Sequence, residues 1–243
     1  KFDITTWHNK LIIMQSFCKL ILVVLITAKG VCSTFTLHTS DFEAGYDGWM
    51  PDHRLNISSE LQNSFLHLPV GFGGGNAGSR LITYNQSADW TGNFINRGVE
   101  KIKFDFKNDS GEEAHMRVAF SDMFNPMQAG GTWWISKDPI ILAPLSGWST
   151  LSFDLEEVKM KTGGVFNGMP GVLTFDETMS NVNVVRILSS RVGGSGIGDQ
   201  FYGNVYMDNI ELLGTVIPEP NMIYFNIMGA LIFILVIFRK YVL

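Results

Sequence analysis

Between residues 34 and 216, short runs of alternating apolar and polar residues dictate the fold. The clearest run is KIKFDFKN at 101–108, in which Ile102, Phe104 and Phe106 fall on one side of an extended chain. A period of two residues is that of a strand with one buried face. Gly, Asn, Asp and Pro separate the runs, so the sequence predicts an all-β domain built as a two-sheet sandwich.

Nine segments of this region are predicted as strands. They cover residues 34–38, 64–70, 80–84, 101–107, 114–121, 133–136, 150–154, 184–189 and 204–213. Residues 174–183 are compatible with a short helix or with a loop, and the pattern does not choose between them.

Charge and cysteine content exclude several classes of function. Residues 34–217 contain 12 basic and 21 acidic side chains, a net charge of −9, and such a surface repels nucleic acid. Cys18 and Cys32 both precede this region, so the domain has neither a disulfide framework nor a cysteine zinc site. About 180 residues bury enough apolar surface to fold without either.

The first 33 residues are predicted to be an export signal. From Met14 the sequence reads MQSFCK, then the apolar core LILVVLIT, then the small-residue exit AKGVCS. The core is too short to span a bilayer, which favours a cleaved signal peptide over a retained anchor. We expect cleavage before Thr34, and translation from Met14, with residues 1–13 lying upstream of the start.

The C-terminus is predicted to cross a membrane. Residues 222–238 contain no charge and would form about 25 Å of helix, the lower limit for a span. Arg239 and Lys240 follow at once and are expected to remain in the cytoplasm, which leaves the preceding domain outside.

A proline motif, an apolar helix and a basic pair stand in this order in the last 26 residues. The motif is Pro218-Glu219-Pro220, and Arg239-Lys240 is the pair. This tail resembles the PEP-CTERM sorting signal of Gram-negative bacteria, although three residues follow the pair where the family usually ends. The resemblance implies processing by an exosortase-type membrane protease and a location in the cell envelope, on the cell surface or in the extracellular matrix.

Four segments of the predicted sandwich carry a second resemblance. They are DFEAGYDGW at 41–49, GSRLITYNQSADWTGNF at 78–94, GWSTLSFDL at 147–155 and YMDNIELLG at 206–214. Together they resemble bacterial laminin B-like modules within the wider galactose-binding-like class. The resemblance spans roughly residues 35–214 and implies a jelly-roll fold used for adhesion or glycan contact, without catalytic residues.

In many modules of that class, an acid in the opening segment and an aspartate in the closing strand hold a structural calcium ion. Glu43 and Asp208 occupy the matching positions, with Asp41 nearby. Calcium needs six to eight oxygen ligands, so backbone carbonyls and water would have to complete the site. The alternative is that Asp41 and Glu43 form a turn and Asp208 ends a strand.

Adjacent tryptophans are the candidate ligand-binding residues. Trp133 and Trp134 must face opposite sides of a strand, so one enters the core and the other faces solvent or lies under a loop. An exposed indole would offer a platform on which a sugar ring stacks. The alternative is that both indoles pack inside the domain.

The function expected from these features is that of an exported, non-enzymatic surface protein that associates with exopolysaccharide or another glycan. The competing hypothesis is a secreted glycan-active hydrolase that uses the acids Asp154, Glu156 and Glu157. A glycosidase needs two carboxyl groups facing each other across a cleft. No HExxH or similar metal-binding spacing occurs among the histidines, so metalloprotease chemistry has no support.

Overall fold

The computed structural model describes residues 34–51, 56–60, 63–70, 80–123, 132–163, 173–193 and 196–215. The span Thr34–Thr215 packs as one compact unit. The predicted signal peptide (1–33) and sorting tail (217–243) lie outside the described residues. Within the described ranges, no helix is both long enough and apolar enough to cross a bilayer.

Thirteen strands are present in the described part of the chain. They are β1 Thr34–Ser40, β2 Trp49–Pro51, β3 Asn56–Glu60, β4 Asn63–Val70, β5 Ile82–Asn85, β6 Val99–Asp109, β7 Ala114–Ser121, β8 Trp133–Ser136, β9 Ile140–Leu142, β10 Ser146–Asp154, β11 Met160–Gly163, β12 Val184–Ser189 and β13 Gly203–Thr215. All nine predicted strand regions contain a strand. The pattern missed β2, β3, β9 and β11, each of which has only three to five residues.

These strands form two antiparallel sheets. The first sheet has the order β10-β6-β13-β4-β3, with β1 also paired to β13. The second has the order β11-β8-β7-β12-β5-β2, with β9 also paired to β7. One hydrophobic cluster contains residues of both sheets, so the sheets pack face to face as a sandwich. The predicted all-β sandwich is therefore confirmed.

The alternation in β6 matches this packing. Ile102, Phe104 and Phe106 are each 0% exposed and lie in the core between the sheets. The residues between them are half-buried and lie on the outer face of the first sheet. The period-two pattern therefore gives the correct inward face for β6, the longest of the strands that pair with β13.

Strand pairing is nested along the chain. β8 pairs with β11, β7 with β12, and β6 with β13, so each pair encloses the one before it. A folded-over ribbon of this kind brings residues far apart in sequence into register. It leaves β13, the last strand, in the middle of the first sheet.

In the described segments, two short helices join the strands, α1 Phe94–Arg97 and α2 Phe175–Met179, and a 3₁₀ turn covers Glu157–Lys159. The region 174–183, which the pattern left open, begins with α2. Its start is a capping box, in which the Thr174 hydroxyl and the Glu177 carboxylate each bond to the other residue's backbone N–H. The sequence T-x-x-E therefore decides in favour of a helix.

A buried serine joins β1 to the opposite sheet. The Ser40 hydroxyl donates to Asp47 and accepts hydrogen bonds from the indole N–H groups of Trp49 (3.0 Å) and Trp90 (3.2 Å). The two indoles contact edge to face at 4.9 Å and are both fully buried. One hydroxyl thus satisfies two indole donors that have no access to water.

Asp47 completes this network at the surface. His38 Nε2 lies 2.9 Å from its carboxylate. Burial opposes ionisation of Asp47, but the hydrogen bonds from Ser40 and His38 outweigh it and lower the pKa of this group below its ordinary value of 3.8. The ionised carboxylate therefore contributes stability that is present above pH 3.8 and lost as the pH falls through the lower folded-state pKa.

We expect Ser40→Ala to lower the free energy of unfolding by about 2–4 kcal/mol, because it removes the hydroxyl that accepts hydrogen bonds from two buried indoles. Denaturant unfolding followed by tryptophan fluorescence measures the change. Ser152→Ala is the matched control, since Ser152 is an exposed strand serine of β10. Equal stability of the two variants would show that the network contributes nothing.

Candidate functional site

The predicted calcium residues meet where β13 exchanges one neighbour for another. On one edge, β13 pairs with β4 through Met207 and with β1 from Ile210 onward. On the other edge, a β-bulge interrupts the pairing of β13 with β6 at the same height, and Asn209 at this bulge has a positive φ of 48°. Asp208 immediately precedes that residue and faces outward.

The other two acids stand at the ends of the strands that meet there. Asp41 follows β1 directly, and its carboxylate accepts a hydrogen bond from the backbone N–H of Glu43 at 3.1 Å. Glu43 Oε1 accepts from the backbone N–H of Ser64 at the start of β4, at 3.4 Å. Phe42 between them has a φ of 59° and is buried, so this strained turn directs both acids away from the core.

A fourth carboxylate, which the sequence did not single out, completes this acidic cluster of Asp41, Glu43, Asp105 and Asp208. Asp105 pairs directly with Asp208 across β6 and β13. Burial, together with the charges of Asp105, Asp41 and Glu43, raises the pKa of Asp208 above its ordinary value. Like charges directly opposed across two strands destabilise a sheet.

The cluster is not neutralised by protein cations. In the described part of the chain, none of its four carboxylates forms an ion pair with a lysine, arginine or histidine. The side chains do not converge as they stand: no group of three or more potential ligands is positioned to hold a metal ion among the described residues. The residues therefore fit a divalent cation in charge but not yet in ligand geometry.

Trp133 and Trp134 face opposite sides of β8, as predicted. Trp134 enters the core between the sheets and contacts Phe175 edge to face at 5.2 Å. Trp133 belongs to a second hydrophobic cluster on the outer face of the second sheet. Their exposures of 8% and 2% leave neither indole face open to a sugar ring.

Trp133 lies under a loop. The guanidinium of Arg186 stacks on its ring at 4.3 Å and donates to the carbonyl of Gly196 at 2.6 Å. A Cβ on Gly196 would come within 2.8 Å of the Trp133 ring, so only glycine allows this contact. The loop after β12 thereby covers this part of the outer face.

Arg117 fastens the same loop. It is 2% exposed and donates to the backbone carbonyls of Ser136, Lys137, Ser190 and Arg191 at 2.5–3.1 Å. Burial lowers the pKa of Arg117 below its ordinary value, yet all its hydrogen bonds are to carbonyls that favour the charged form. These hydrogen bonds hold the loop against the outer face of the second sheet and cover that part of the face.

The outer face of the first sheet differs, because it carries an aromatic strip formed by Trp148, Phe65, Tyr206 and His67. Ring centroids are 5.9 Å apart for Trp148 and Phe65, 5.2 Å for Phe65 and Tyr206, and 4.8 Å for Tyr206 and His67. Trp148 is 44% exposed, Tyr206 and His67 are half-buried, and Phe65 is 6% exposed. Four linked rings on an outer face that normally carries polar side chains need an explanation.

Strand register assembles the strip. Tyr206 pairs with His67 of β4 on one side and with Lys107 of β6 on the other. Trp148 comes from β10, where a bulge between Ser146 and Ser149 interrupts the pairing with β6. Although β6 and β13 separate β10 from β4 in the sheet, the Trp148 ring lies only 5.9 Å from the Phe65 ring, so the four rings lie close together.

Local sequence patterns do not reveal this strip. Its members lie at positions 65, 67, 148 and 206, and only the strand register brings them together. The alternation in their strands predicts that Tyr206 and His67 face outward, and Trp148 lies in one of the segments that resemble laminin B-like modules. The pairing that unites them has a sequence separation of more than 130 residues and leaves no local signal.

Three lysines on the outer face of β6 differ in their partners. Lys101 contacts Asp154 at 3.0 Å, and Lys103 contacts Glu211 at 2.7 Å. Lys107 forms no ion pair within the described ranges, and its ammonium lies 5.1 Å from the centroid of the Tyr206 ring. The strip thus has an unneutralised cation beside it.

Two of the three acids of the competing hydrolase hypothesis, Asp154 and Glu156, form ion pairs with lysine. Lys159 Nζ lies 2.6 Å from Asp154 and 3.2 Å from Glu156, so the two carboxylates share one cation. The hydrogen bond from Lys159 outweighs burial and, with Lys101, lowers the pKa of Asp154 below its ordinary value. A glycosidase acid needs a raised pKa and a partner across a cleft, and this edge of the sheet offers neither.

Comparison with known proteins finds no matching family model and no matching curated protein. Solved structures do match. A family 11 carbohydrate-binding module from Clostridium thermocellum, in complex with a β-1,3-1,4-mixed-linked tetrasaccharide, is 17% identical, with a TM-score of 0.45 over 72% of this chain and 94% of that chain.

Two further matches have similar scores. The N-terminal CBM22 tandem domain of Paenibacillus barcinonensis Xyn10C is 13% identical, with a TM-score of 0.46 over 77% of this chain and 51% of that chain. An agarase is 8% identical, with a TM-score of 0.45 over 74% of this chain and 24% of that chain. At these scores and identities, the matches do not identify a ligand for this chain.

Proposed function

We propose that this chain is an exported, non-enzymatic surface or matrix protein that binds polysaccharide through the aromatic strip. The observation that carries the proposal is the exposed indole of Trp148 joined to Phe65, Tyr206 and His67 on one outer face. Aromatic rings in such a row offer flat apolar surface with a polar margin, which suits the apolar faces of successive sugar rings.

The strip is organised before a ligand arrives, because contacts with neighbouring rings fix each of its members. His67 is held by a 3.0 Å contact with the side chain of Asn204 and by stacking on Tyr206. Rings that are ordered in advance lose little conformational entropy when they bind.

The scaffold of this proposal is a jelly roll. The nested pairs of β6 with β13, β7 with β12 and β8 with β11 support that finer assignment, because a jelly roll is an antiparallel ribbon folded over into two sheets. The non-enzymatic part is supported by the lysine-bound state of Asp154 and Glu156, which leaves neither acid prepared for hydrolysis.

In this proposal, the two termini direct export and sorting of the chain. A signal peptide up to Ser33 exports the chain, and the tail from Pro218 to Lys240 directs it to an exosortase-type protease in a Gram-negative envelope. The support is the order of proline motif, apolar helix and basic pair in the sequence. Pro218 and Pro220 cannot join a helix or a ladder, so they keep an extended segment accessible to the protease.

The acidic cluster is proposed as a calcium site that stabilises the junction of β1, β4 and β13. Its support is electrostatic: Asp105 and Asp208 face each other with Asp41 and Glu43 nearby, and no described cation pairs with them. A divalent ion relieves this repulsion when bound. Carboxylate and carbonyl oxygens are the ligands that calcium prefers.

For the polysaccharide proposal, Trp148→Ala should weaken binding of the full chain to its best polymer at least tenfold, because it removes the exposed end of the strip. Affinity electrophoresis against soluble β-glucan, xylan and polygalacturonate measures the change. Tyr202→Ala is the matched control, since Tyr202 is 48% exposed and lies outside the strip.

Unchanged retardation of the Trp148→Ala variant in every gel would refute the strip as the binding surface. Release of reducing ends from any of the three polymers, lost on Glu156→Gln, would instead establish the hydrolase alternative.

For the calcium proposal, calcium at one hundred times its Kd should stabilise the chain by about 2.7 kcal/mol, a rise in Tm of several degrees. Asp208→Asn should abolish that rise and, without calcium, should raise Tm above that of the unsubstituted chain. The sign follows from the raised pKa of Asp208, since a raised carboxyl pKa means stability lost as the pH rises through that value.

Thermal unfolding at neutral pH, with and without millimolar calcium, provides the measurement. Asp109→Asn is the control, because Asp109 lies on β6, the strand of Asp105, but is not among the charges acting on Asp208. A calcium response that survives in Asp208→Asn would contradict the assignment.

For the sorting proposal, mass spectrometry of the surface-associated chain should find a C-terminus near Pro220. Replacing both Pro218 and Pro220 with alanine should leave the tail intact, because the segment can then continue the helix. An unsubstituted surface chain that still ends at Leu243 would refute processing.

A further inference from the structure

The first sheet ends in a strand whose outer edge has no partner strand among the described residues. β10 is the first strand in the order β10-β6-β13-β4-β3 and pairs with β6 alone. It has nine residues, and its bulge lies between Ser146 and Ser149, so the rest of the strand is regular. A free edge presents a row of backbone donors and acceptors with which another strand can pair.

One hydrogen bond fixes the orientation of the backbone groups along β10. Leu155, which directly follows this strand, donates from its backbone N–H to the carbonyl of Glu100 at 2.7 Å. Asp154 is paired with Lys101, so Leu155 lies opposite Glu100. A bond between directly opposite residues identifies a hydrogen-bonded pair of an antiparallel ladder.

This orientation shows which residues face the free edge. Hydrogen-bonded and non-hydrogen-bonded pairs alternate along the ladder, so Leu151 and Phe153 also bond to β6. The backbone N–H and C=O groups of the residues that alternate with them point away from β6. These residues are Thr150, Ser152 and Asp154.

The other sheet ends in the described part of the chain carry recognised protections against pairing. β2 has three residues and ends in Pro51, β11 has four residues and includes Lys161, and β3 has five residues. Short length, proline and lysine each discourage another strand from adding to an edge. β10 is longer than these strands and contains no proline, lysine or arginine.

The charges near β10 permit a second copy of the chain to approach. Residues 34–217 have a net charge of −9, so two copies repel each other except where the surface is locally neutral. Asp154 and Glu156 form ion pairs with Lys101 and Lys159. The other residues of β10 are uncharged.

We propose that two copies of this chain pair through β10, in antiparallel orientation, about a two-fold axis at Ser152. The three edge-facing residues are centred on Ser152, so this register pairs all of them: Ser152 with its own copy, and Thr150 with Asp154 at both ends. On the core face, the same register places Leu151 opposite Phe153 of the second copy, an apolar cross-strand pair.

The pairing joins the two first sheets into one. Residues that lie opposite each other across antiparallel strands project to the same face, so both aromatic strips lie on one side of the joined sheet. A ligand with repeated binding sites could then engage two copies at once. The dimer itself does not depend on the proposed function.

Disulfide cross-linking tests the register. Replacing Cys18 and Cys32 by serine gives a full chain without thiols. In that background and in mild detergent, Ser152→Cys should form a covalent dimer on oxidation, because the Cα atoms of a hydrogen-bonded pair lie about 5.5 Å apart. Thr150→Cys is the matched control: it is equally an exposed edge residue, but its two copies would be about 14 Å apart and should not cross-link.

Sedimentation equilibrium of the full chain in density-matched detergent measures the association. Ser152→Lys should weaken it at least about tenfold, because two lysines would face each other at the axis. Ser152→Thr should retain it, because threonine favours strands. Thermal unfolding checks that both variants fold, as expected for an exposed residue whose backbone groups face away from β6.

Three results would each overturn the inference. They are a monomer at every concentration, equal cross-linking of the two cysteine variants, and a dimer that Ser152→Lys leaves unchanged. The last result would assign the association to another surface of the chain.

Discussion

The position of β13 in the first sheet is the constraint on which the rest of the structure depends. This strand is hydrogen-bonded to β6 along one edge and to β4 and then β1 along the other. The pairing with β4 ends at Met207 and the pairing with β1 begins at Ile210, and at the same place a bulge interrupts the pairing with β6 on the other edge. Both the acidic cluster and the aromatic strip are consequences of this arrangement, one at the bulge and one just before it.

One outer face of the sandwich is covered, and the other is accessible at Trp148. On the second sheet, Arg117 and the loop after β12 close the face, and strands β7 and β8 are buried on both sides. On the first sheet, long charged side chains alternate with core residues along β6, and the face remains accessible at Trp148. A buried face admits no ligand without the loss of several carbonyl bonds to Arg117, whereas an open face admits one at no such cost.

The sequence predicts well what depends on neighbours in the chain. The alternation in β6 identifies its buried face, and T-x-x-E at residue 174 explains α2 once the capping box is seen. Two-residue periodicity does not reveal β2 or β9, because three residues are too few to show a period. The tails, predicted from their apolar runs and flanking charges, lie outside the described residues and remain predictions.

The candidate sites likewise contain residues that the sequence identified and residues that only strand pairing reveals. Asp41, Glu43 and Asp208 were proposed from a resemblance and do surround one junction, but their fourth member, Asp105, becomes visible only through the pairing of β6 with β13. The adjacent indoles of Trp133 and Trp134 were predicted to bind a ligand, yet both are buried. The rings that remain accessible come from β4, β10 and β13, and non-local register of this kind is the part of a β fold that single-sequence patterns do not contain.

One more consequence follows from the place of Tyr206 on β13. Thr215 ends the same strand nine residues later and pairs with Thr34 at the start of β1. A force applied between Tyr206 and Thr215 would therefore run along a single extended backbone. Because that backbone is bonded to neighbours on both edges, many hydrogen bonds would have to shear together before it slipped, so the domain resists force best along this direction.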